Sequence, residues 1–305
     1  MSLTLPDNLQ TPDTPYRVNS AYSPAEAREY CARLAKSHYE NFLVASLFVP
    51  KALKQHFYHV YAYCRISDDL GDESGGPENA LPLLDWWGEE LDACYAGRPK
   101  HPVFVALAET NAQFSIPKQP YADLLRAFRQ DQTTPRYQTY EELLGYCRYS
   151  ADPVGRLVLY LCGYSDAERQ ALSDRTCTAL QLANFWQDVA RDYDIGRIYI
   201  PLEDMRRFGV SEEDIANRRF TAAFGELLKF ECDRTKALFA EGMKLCGMVD
   251  RRVRLDIEMF SRGGQEIIRR IESQGYDVLT SRPEIPKKRQ LAMLAGRLVA
   301  GVVGR

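Results

Sequence analysis

The chain has 305 residues, of which 45% are hydrophobic and 27% charged, and its formal net charge is −3. This near-neutral balance argues against nucleic acid as the partner, because nucleic-acid-binding surfaces are usually strongly basic. The length is enough for one large helical domain or for two ordinary domains.

Helical periodicity dominates the chain after a polar N-terminal stretch. Residues 1–20 contain three prolines and are predicted to be an irregular arm. Ser23-Pro24 then reads as a helix N-cap followed by a first-turn proline. We predict one all-α domain over residues 21–305, with helices at about 24–37, 50–70, 79–97, 101–113, 118–130, 139–150, 153–163, 166–192, 211–217, 220–247, 250–275 and 286–301. Residues 197–201 are predicted to form a loop.

The cysteines and the N-terminus indicate a cytoplasmic protein. The eight cysteines never form a CxxC pair, and a chain of this length and apolar content does not need disulfides. The N-terminus lacks a basic stretch followed by an apolar run, so no secretory signal is predicted. No stretch approaches the roughly 20 apolar residues of a membrane span.

The C-terminal region combines a basic stretch with an apolar helix. Residues 287–289 are Lys-Lys-Arg, and residues 291–300 are mostly apolar. Such a segment can rest on an anionic membrane surface. Packing against the rest of the bundle is the favoured alternative, so peripheral contact with the inner membrane stays open at this point.

The first acidic stretch contains Asp68 and Asp72, four residues apart and therefore on one helix face. Roughly six such pairs would arise by chance in a chain with this acid content, so one pair alone proves little. Here, however, Asp69 and Glu73 add a second pair, and four acids on an otherwise apolar helix are costly to bury without a cation. We assign Asp69 and Glu73 to a solvated face, and Asp68 and Asp72 to a cation.

The second acidic stretch lies far along the chain. Gln181, Asn184, Asp188 and Asp192 recur at helical spacing on a helix that is otherwise apolar. A buried polar network is the structural alternative, but amide and carboxylate oxygens are the ligands that Mg²⁺ prefers. Two such helices facing across a cavity would hold magnesium and a diphosphate, which is a leaving group.

Both stretches resemble the aspartate-rich motifs of the squalene/phytoene synthase family. The first motif spans residues 61–73 and the second spans residues 181–201, while residues 146–155 resemble the family's tyrosine-containing element. The resemblance covers residues from about 28 to 290. It implies a single-domain isoprenoid-synthase fold, a helical bundle around a central cavity.

The resemblance also assigns roles to individual positions. Asp68, Asp72, Asn184 and Asp188 match the family's magnesium ligands, and Asp192 completes the second motif, so the four aspartates are also expected to be catalytic. Tyr149 matches a tyrosine implicated in ionisation and rearrangement. The positions that match substrate-binding residues are His38, Tyr39, Asn41, Tyr61, Arg65, Gln181, Asn184, Arg197 and Tyr276.

Three departures from the family pattern narrow the expected reaction. Asp152-Pro153 follows Ala151 where many members have alanine-glycine, Gln187 replaces a common arginine, and residues 39–46 lack a Ser-x-Ser-Phe sequence. These features resemble the bacterial hopanoid-pathway branch, whose substrate is presqualene diphosphate. The resemblance implies magnesium-dependent loss of diphosphate and capture of the cation by water, without NADPH. Asp152 and Tyr149 are our candidates for positioning that water.

Other readings use the same sequence features. A relative that condenses two prenyl diphosphates head-to-head, giving presqualene diphosphate, squalene or phytoene, would need the same aspartates. A lipid-binding assembly factor of the same fold would be expected to lose metal ligands, yet all four aspartates remain. A di-iron bundle would need Glu-x-x-His pairs, which the chain lacks. Besides the prenyl diphosphate, neighbouring enzymes of the pathway are the further partners that the resemblance allows.

Overall fold

The computed structural model describes residues 21–37 and 51–286. Within them the chain forms twelve α-helices and one 3₁₀ helix, Met243–Gly247, and no β-strand. The predicted all-α class is therefore confirmed. The helices are α1 Pro24–Ser37, α2 Lys51–Asp72, α3 Pro77–Tyr95, α4 Pro102–Phe114, α5 Gln119–Asp131, α6 Tyr140–Ser150, α7 Asp152–Leu161, α8 Ala167–Asp194, α9 Leu202–Phe208, α10 Glu212–Ala216, α11 Ala222–Gly242 and α12 Arg251–Ser273.

Some predictions fall outside the described residues. They concern the N-terminal arm, the helix predicted at 286–301, and the candidate substrate-binding residues His38, Tyr39 and Asn41. The predicted boundary between an arm and a domain at residue 21 also stays a prediction.

Helix α1 begins where the sequence places its start. The Ser23 backbone N–H donates to Glu26 Oε2 at 2.8 Å, and the Glu26 N–H donates to Ser23 Oγ at 3.3 Å. This reciprocal pair is a capping box, which satisfies backbone groups that a helix N-terminus leaves without partners. Pro24 occupies the first helical position, where a missing N–H costs nothing.

The sequence pattern missed one helix. Residues 202–208 form α9, which follows Pro201 and ends at Gly209 in a left-handed conformation with φ 70°. Acidic residues in its first turn and arginines in its last turn suit the helix dipole, but seven residues are too few for periodicity to be visible. Residues 197–201 form the predicted loop, with an isolated bridge between Ile198 and Arg136.

The described residues divide into two compact units, and the first comprises those of residues 21–37, 51–134 and 153–166. Its core contains a cluster of fully buried aromatic rings around Tyr63. The Tyr63 hydroxyl donates to the Tyr121 carbonyl at 2.8 Å, and Trp87 Nε1–H donates to Ser67 Oγ at 3.0 Å. Because Tyr63 and Ser67 lie on one face of α2, these bonds fix the rotation of the helix that carries Asp68 and Asp72.

Among the described residues, the second unit comprises 135–152 and 167–286. The long helix α8 packs against α11 and α12. Trp186 is fully buried and donates its Nε1–H to Thr235 Oγ1 at 2.8 Å. Phe185 stacks on Tyr199 with ring centroids 3.7 Å apart. These contacts fix α8 and the loop that carries Arg197.

The eight cysteines all lie in the described residues, and all are free thiols. This agrees with the expectation of a protein without disulfides. Among the helices that the structure describes, none is long and apolar enough to cross a membrane.

Candidate functional site

The first acidic pair, Asp68 and Asp72, lies in the first unit at the end of α2. Asp68 is partly exposed and Asp72 is exposed. The solvated face predicted for Asp69 is wrong, because this residue is only 5% exposed and forms an ion pair with Arg65. Glu73 is exposed as predicted, although it also lies 3.1 Å from Arg65. Arg65 thus compensates the acids on the neighbouring face.

The ionised form of Asp68 is destabilised by its surroundings. Burial, reinforced by the charge of Asp72 and opposed by that of Arg65, raises its pKa to about 6. Its contact with Arg65 is long, 3.5 Å between Nη1 and Oδ2. A cation bound at Asp68 would remove the repulsion between the two carboxylates.

The second acidic pair, Asp188 and Asp192, lies in the second unit on α8. Asp188 is only 9% exposed, and Asp192 is partly buried. On the same helix face Gln181 is partly buried and Asn184 is exposed, although the neighbouring apolar residues are buried. The predicted polar stripe therefore exists, and it is open to solvent at Asn184.

Asp192 has one carboxylate oxygen without a hydrogen-bond partner among the described residues. Burial, reinforced by the charge of Asp188 and opposed by the charges of Arg197 and Arg282, raises its pKa to about 7. Among the described residues its Oδ2 atom is buried without a hydrogen-bond partner. Such an orphaned oxygen is costly unless a ligand satisfies it.

The donor set suits a hard divalent cation. Each pair presents carboxylate oxygens, and Asn184 adds an amide oxygen on α8. Within the described residues no group of three or more His, Cys, Asp and Glu side chains is arranged to hold one metal ion. Mg²⁺ usually takes one or two carboxylates together with water and phosphate oxygens, so an acidic pair is a sufficient protein contribution. The residues present fit magnesium.

Arg282 is a functional candidate that the sequence did not reveal. Its Nε and Nη2 atoms lie 2.6 and 3.0 Å from Asp188 Oδ1 and Oδ2, so that both oxygens accept a hydrogen bond. These bonds raise the pKa of Arg282. Next to Asp188, Gln187 is buried and donates to the Pro283 carbonyl at 2.6 Å. Gln187 is visible in the sequence as a departure from the family pattern. The contact between Asp188 and Arg282 is not, because the two residues are 94 positions apart and share no local spacing.

Asp152 and Tyr149, the candidates for positioning water, both lie in the second unit. Asp152 is 6% exposed and begins α7, and the Thr178 hydroxyl donates to its Oδ1 at 2.8 Å. Tyr149 is partly buried near the end of α6. Thr178 lies on α8, three residues before Gln181, and was not among the predicted residues.

The remaining candidates are divided between the units. Tyr61 lies one turn before Arg65 on α2, and burial raises the pKa of its hydroxyl. Arg197 is partly buried in the loop after α8. Tyr276 is partly buried after α12 and has a φ of 67°, a left-handed conformation that is uncommon for a tyrosine.

Comparison with known proteins identifies a family. The sequence model described as squalene/phytoene synthase matches residues 35–289. The 15-cis-phytoene synthase of Synechocystis sp. is 30% identical over 94% of this chain and 88% of its own length. The 15-cis-phytoene synthase of Synechococcus elongatus is 28% identical over 96% of this chain and 98% of its own length.

Solved structures give a second comparison. The squalene synthase HpnC from Alicyclobacillus acidocaldarius is 47% identical and superposes with a TM-score of 0.80, over 83% of this chain and 95% of its own. A dehydrosqualene synthase in complex with a ligand is 26% identical, with a TM-score of 0.80 over 91% of this chain and 97% of its own. The predicted isoprenoid-synthase fold is thereby confirmed.

Proposed function

Because the chain belongs to the squalene/phytoene synthase family, and is therefore a prenyl diphosphate-processing enzyme, we propose that it is a hydroxysqualene synthase. Its substrate is presqualene diphosphate, and its products are hydroxysqualene and diphosphate. The lipid-binding assembly factor considered from the sequence is set aside, since the family assignment carries enzymatic activity.

The observation that carries this proposal is the state of Gln187. The family resemblance places an arginine at this position, but here the side chain is a neutral amide, buried and committed to the Pro283 carbonyl. Such a group supplies no positive charge to an anion. An enzyme that binds two prenyl diphosphates must balance two highly charged groups, whereas presqualene diphosphate carries one. The likeness to HpnC supports the same branch of the family.

The acidic pairs and nearby arginines would act on the leaving group. Asp68, Asp72, Asn184, Asp188 and Asp192 would hold magnesium, which when bound neutralises charge that develops on the departing diphosphate. Arg65 in the first unit and Arg197 in the second would each add fixed positive charge for diphosphate oxygens.

Asp152 and Tyr149 would act on the cation that remains. The carbon–oxygen bond to diphosphate breaks and its electron pair leaves with the phosphate oxygen. The carbon skeleton rearranges, and one water adds to the cation and loses a proton. We propose that Asp152, oriented by the Thr178 hydroxyl, accepts a hydrogen bond from that water. No electrons are gained or lost overall, so NADPH is not required.

Incubation with separate substrates tests this function. The purified protein would be given presqualene, farnesyl or geranylgeranyl diphosphate, each with Mg²⁺ or EDTA and with or without NADPH, and the products would be identified by mass spectrometry. Hydroxysqualene is expected from presqualene diphosphate with Mg²⁺ alone. Squalene that forms only with NADPH, or turnover of farnesyl diphosphate alone, would contradict the proposal.

Phytoene synthase is the alternative that the curated relatives favour, because those compared are phytoene synthases. Phytoene formed from geranylgeranyl diphosphate in the same panel would establish it. A transferase activity of this kind would replace the lyase activity that we propose.

The water-positioning role has its own test. Asp152→Asn keeps the size of the side chain but weakens its acceptor strength, so the ratio of hydroxysqualene to other hydrocarbon products should fall. Thr178→Val should shift that ratio in the same direction by a smaller factor. An unchanged product ratio in both variants would remove Asp152 from this role.

We further propose that the enzyme is cytoplasmic and lies peripheral to the inner membrane, where the hydrocarbon chains of its substrate would reside. Flotation with anionic vesicles, for the full chain and for a variant with Lys287, Lys288 and Arg289 changed to glutamine, would measure this contact. Equal flotation of both proteins would argue against the basic stretch as the anchor.

A further inference from the structure

We infer that Arg282 is an internal counter-ion for Asp188 which a divalent cation must displace, and that Gln187 positions Arg282 for this role. The inference rests on the proposed function only in that the second acidic pair is taken to bind a divalent cation. It concerns the C-terminal segment, residues 277–286, and the helix α8 that it contacts.

The C-terminal segment is firmly anchored in the second unit. Val278 and Leu279 are almost fully buried, and Pro283 is buried. Gln274 donates to the carbonyls of Asp277 and Ser281 at 2.6 and 2.9 Å. The segment therefore has a defined path, so the position of Arg282 is built into the fold.

Arg282 uses both oxygens of Asp188. The two hydrogen bonds of 2.6 and 3.0 Å form a bidentate guanidinium–carboxylate pair, the strongest geometry for such contacts. Asp188 is buried, so the pair is screened less than a surface pair. A cation that binds Asp188 therefore meets two oxygens already bonded to Arg282 and competes with Arg282 for their negative charge.

The neighbouring groups do not provide the same contact. Arg191 lies 3.9 Å from Asp188 Oδ1 and its side chain is 65% exposed. Asp192, one turn along α8, keeps a buried Oδ2 without a partner among the described residues. Asp188 is thus neutralised by Arg282, while Asp192 keeps one oxygen without a hydrogen bond in the described part of the chain. A guanidinium carries one positive charge and a divalent cation carries two, so Arg282 balances only one of the two carboxylates.

Gln187 provides the second attachment. Its amide donates to the Pro283 carbonyl, one residue after Arg282. Because Gln187 and Asp188 are adjacent on α8, the two contacts hold residues 282 and 283 against one turn of that helix. Gln187 carries no charge, so any effect of its substitution on cation binding must come from the position of Arg282.

The test measures cation affinity in the full-length, metal-free protein. Mn²⁺ accepts the same oxygen ligands as Mg²⁺, and its free concentration can be followed by electron paramagnetic resonance. Arg282→Gln should tighten Mn²⁺ binding by about five-fold or more, the lower end of typical coupling between two sites. Gln187→Met should tighten it by a smaller factor.

Two controls separate contact from charge. Arg282→Lys keeps the charge but loses the bidentate geometry, so it should still tighten binding. Arg191→Gln removes an equal charge from α8, the helix of Asp188, but Arg191 makes no hydrogen bond to Asp188. This variant should change the Mn²⁺ affinity by less than about two-fold. Asp188→Asn should lose the Mn²⁺ bound at the second acidic pair and keep any Mn²⁺ bound at Asp68 and Asp72. Thermal melting would verify that each variant is folded.

The outcomes distinguish this inference from the proposed function. Suppose that Arg282→Gln and Arg191→Gln increase the Mn²⁺ affinity equally, and that Arg282→Lys and Gln187→Met bind Mn²⁺ like wild type. That result would overturn the displacement of Arg282 by the cation, but would still support a metal site at Asp188. Mn²⁺ bound equally by Asp188→Asn and wild type, or bound by none of the variants, would contradict both. Binding that appears only after Arg282 is changed would support the exchange.

Discussion

The two acidic pairs share one spacing but differ in how their charge is balanced. Around Asp68 and Asp72 the positive charge is local, because Arg65 belongs to the same helix and contacts three nearby carboxylates. Around Asp188 the hydrogen-bonded positive charge is Arg282, 94 residues away, while Arg191 of the same helix lies 3.9 Å from Oδ1 and is mostly exposed. In the first pair Asp72 is exposed and Asp68 partly exposed, whereas in the second Asp188 is buried and Asp192 partly buried. Acidic pairs with the same spacing can therefore be different electrostatic sites.

This difference predicts unequal dependence on a bound cation. A carboxylate in water is stabilised by the solvent, whereas a buried one relies on specific partners. Asp192 accordingly has the higher pKa, about 7 against about 6 for Asp68. We expect the second pair to be the more sensitive of the two to substitution and to pH.

The largest expected effect is on turnover. Asp188→Asn should lower kcat by at least about 100-fold, since a metal ligand contributes several kcal/mol to charge stabilisation in the transition state. Asp72→Asn, on the exposed pair, should lower it by a smaller factor. Steady-state kinetics with saturating Mg²⁺ measure both.

A matched control lies on the same helix. Asp194 is also on α8, but its side chain is 65% exposed and paired with Arg218, so Asp194→Asn should leave turnover within about two-fold of wild type. If Asp72→Asn proved more damaging than Asp188→Asn, the ranking of the two pairs would be reversed.

The next effect is on stability and its dependence on pH. Because the pKa of Asp192 is raised in the folded state, the folded protein binds more protons than the unfolded chain between about pH 4 and 7, and this group makes the protein less stable as the pH rises. Without metal, Asp192→Asn should therefore increase the free energy of unfolding at pH 8 by about 1–3 kcal/mol. The gain should vanish near pH 4.

Urea denaturation at pH 4, 6 and 8 measures this gain. Asp68→Asn should show the same sign with a smaller size, because Asp68 has the lower pKa. A gain for Asp192→Asn that is equal at all three pH values would show that titration is not its cause.

The smallest effect concerns the start of the C-terminal segment. Gly275 has a φ of 68°, and a Cβ added there would meet nothing within 4 Å, so Gly275→Ala should cost about 1 kcal/mol from backbone strain alone. Gly263, inside α12, also has open space around it. Gly263→Ala should be neutral or stabilising by up to about 1 kcal/mol, since alanine favours helices.

Thermal or urea unfolding compares these two glycine variants directly. Both substitutions add the same methyl group without a clash. The difference between their changes in the free energy of unfolding therefore reports the cost of the left-handed conformation at Gly275. Equal stability of both variants would mean that the turn after α12 adapts, and would weaken the account of a fixed path for Arg282.

The sequence was sufficient for the fold class and for most helices, because helical periodicity and caps are local signals. The N-cap at Ser23 was visible from Ser23-Pro24 before a helical pattern, whereas α9 was too short to show periodicity. The acidic pairs were also visible, since i, i+4 spacing is local. The burial of Asp69 was not, because nothing in the spacing shows which face of α2 Arg65 would neutralise.

The contacts of Arg282 could not be predicted from the sequence. They depend on a turn after α12 that returns the chain to α8, and such long-range geometry has no periodic signal. The same is true of Thr178, which meets Asp152 from a different helix. Motifs thus identified the carboxylates, while the structure identified the groups that orient and balance them.

Oxygen-isotope labelling tests the central claim most directly. The protein would be incubated with presqualene diphosphate and Mg²⁺ in ¹⁸O-enriched water, without NADPH, and the product would be weighed by mass spectrometry. Cation capture by solvent predicts hydroxysqualene heavier by about two mass units, the mass of one ¹⁸O substitution, and no product when EDTA removes the metal. Unlabelled hydroxysqualene, or equal turnover with EDTA, would contradict the account.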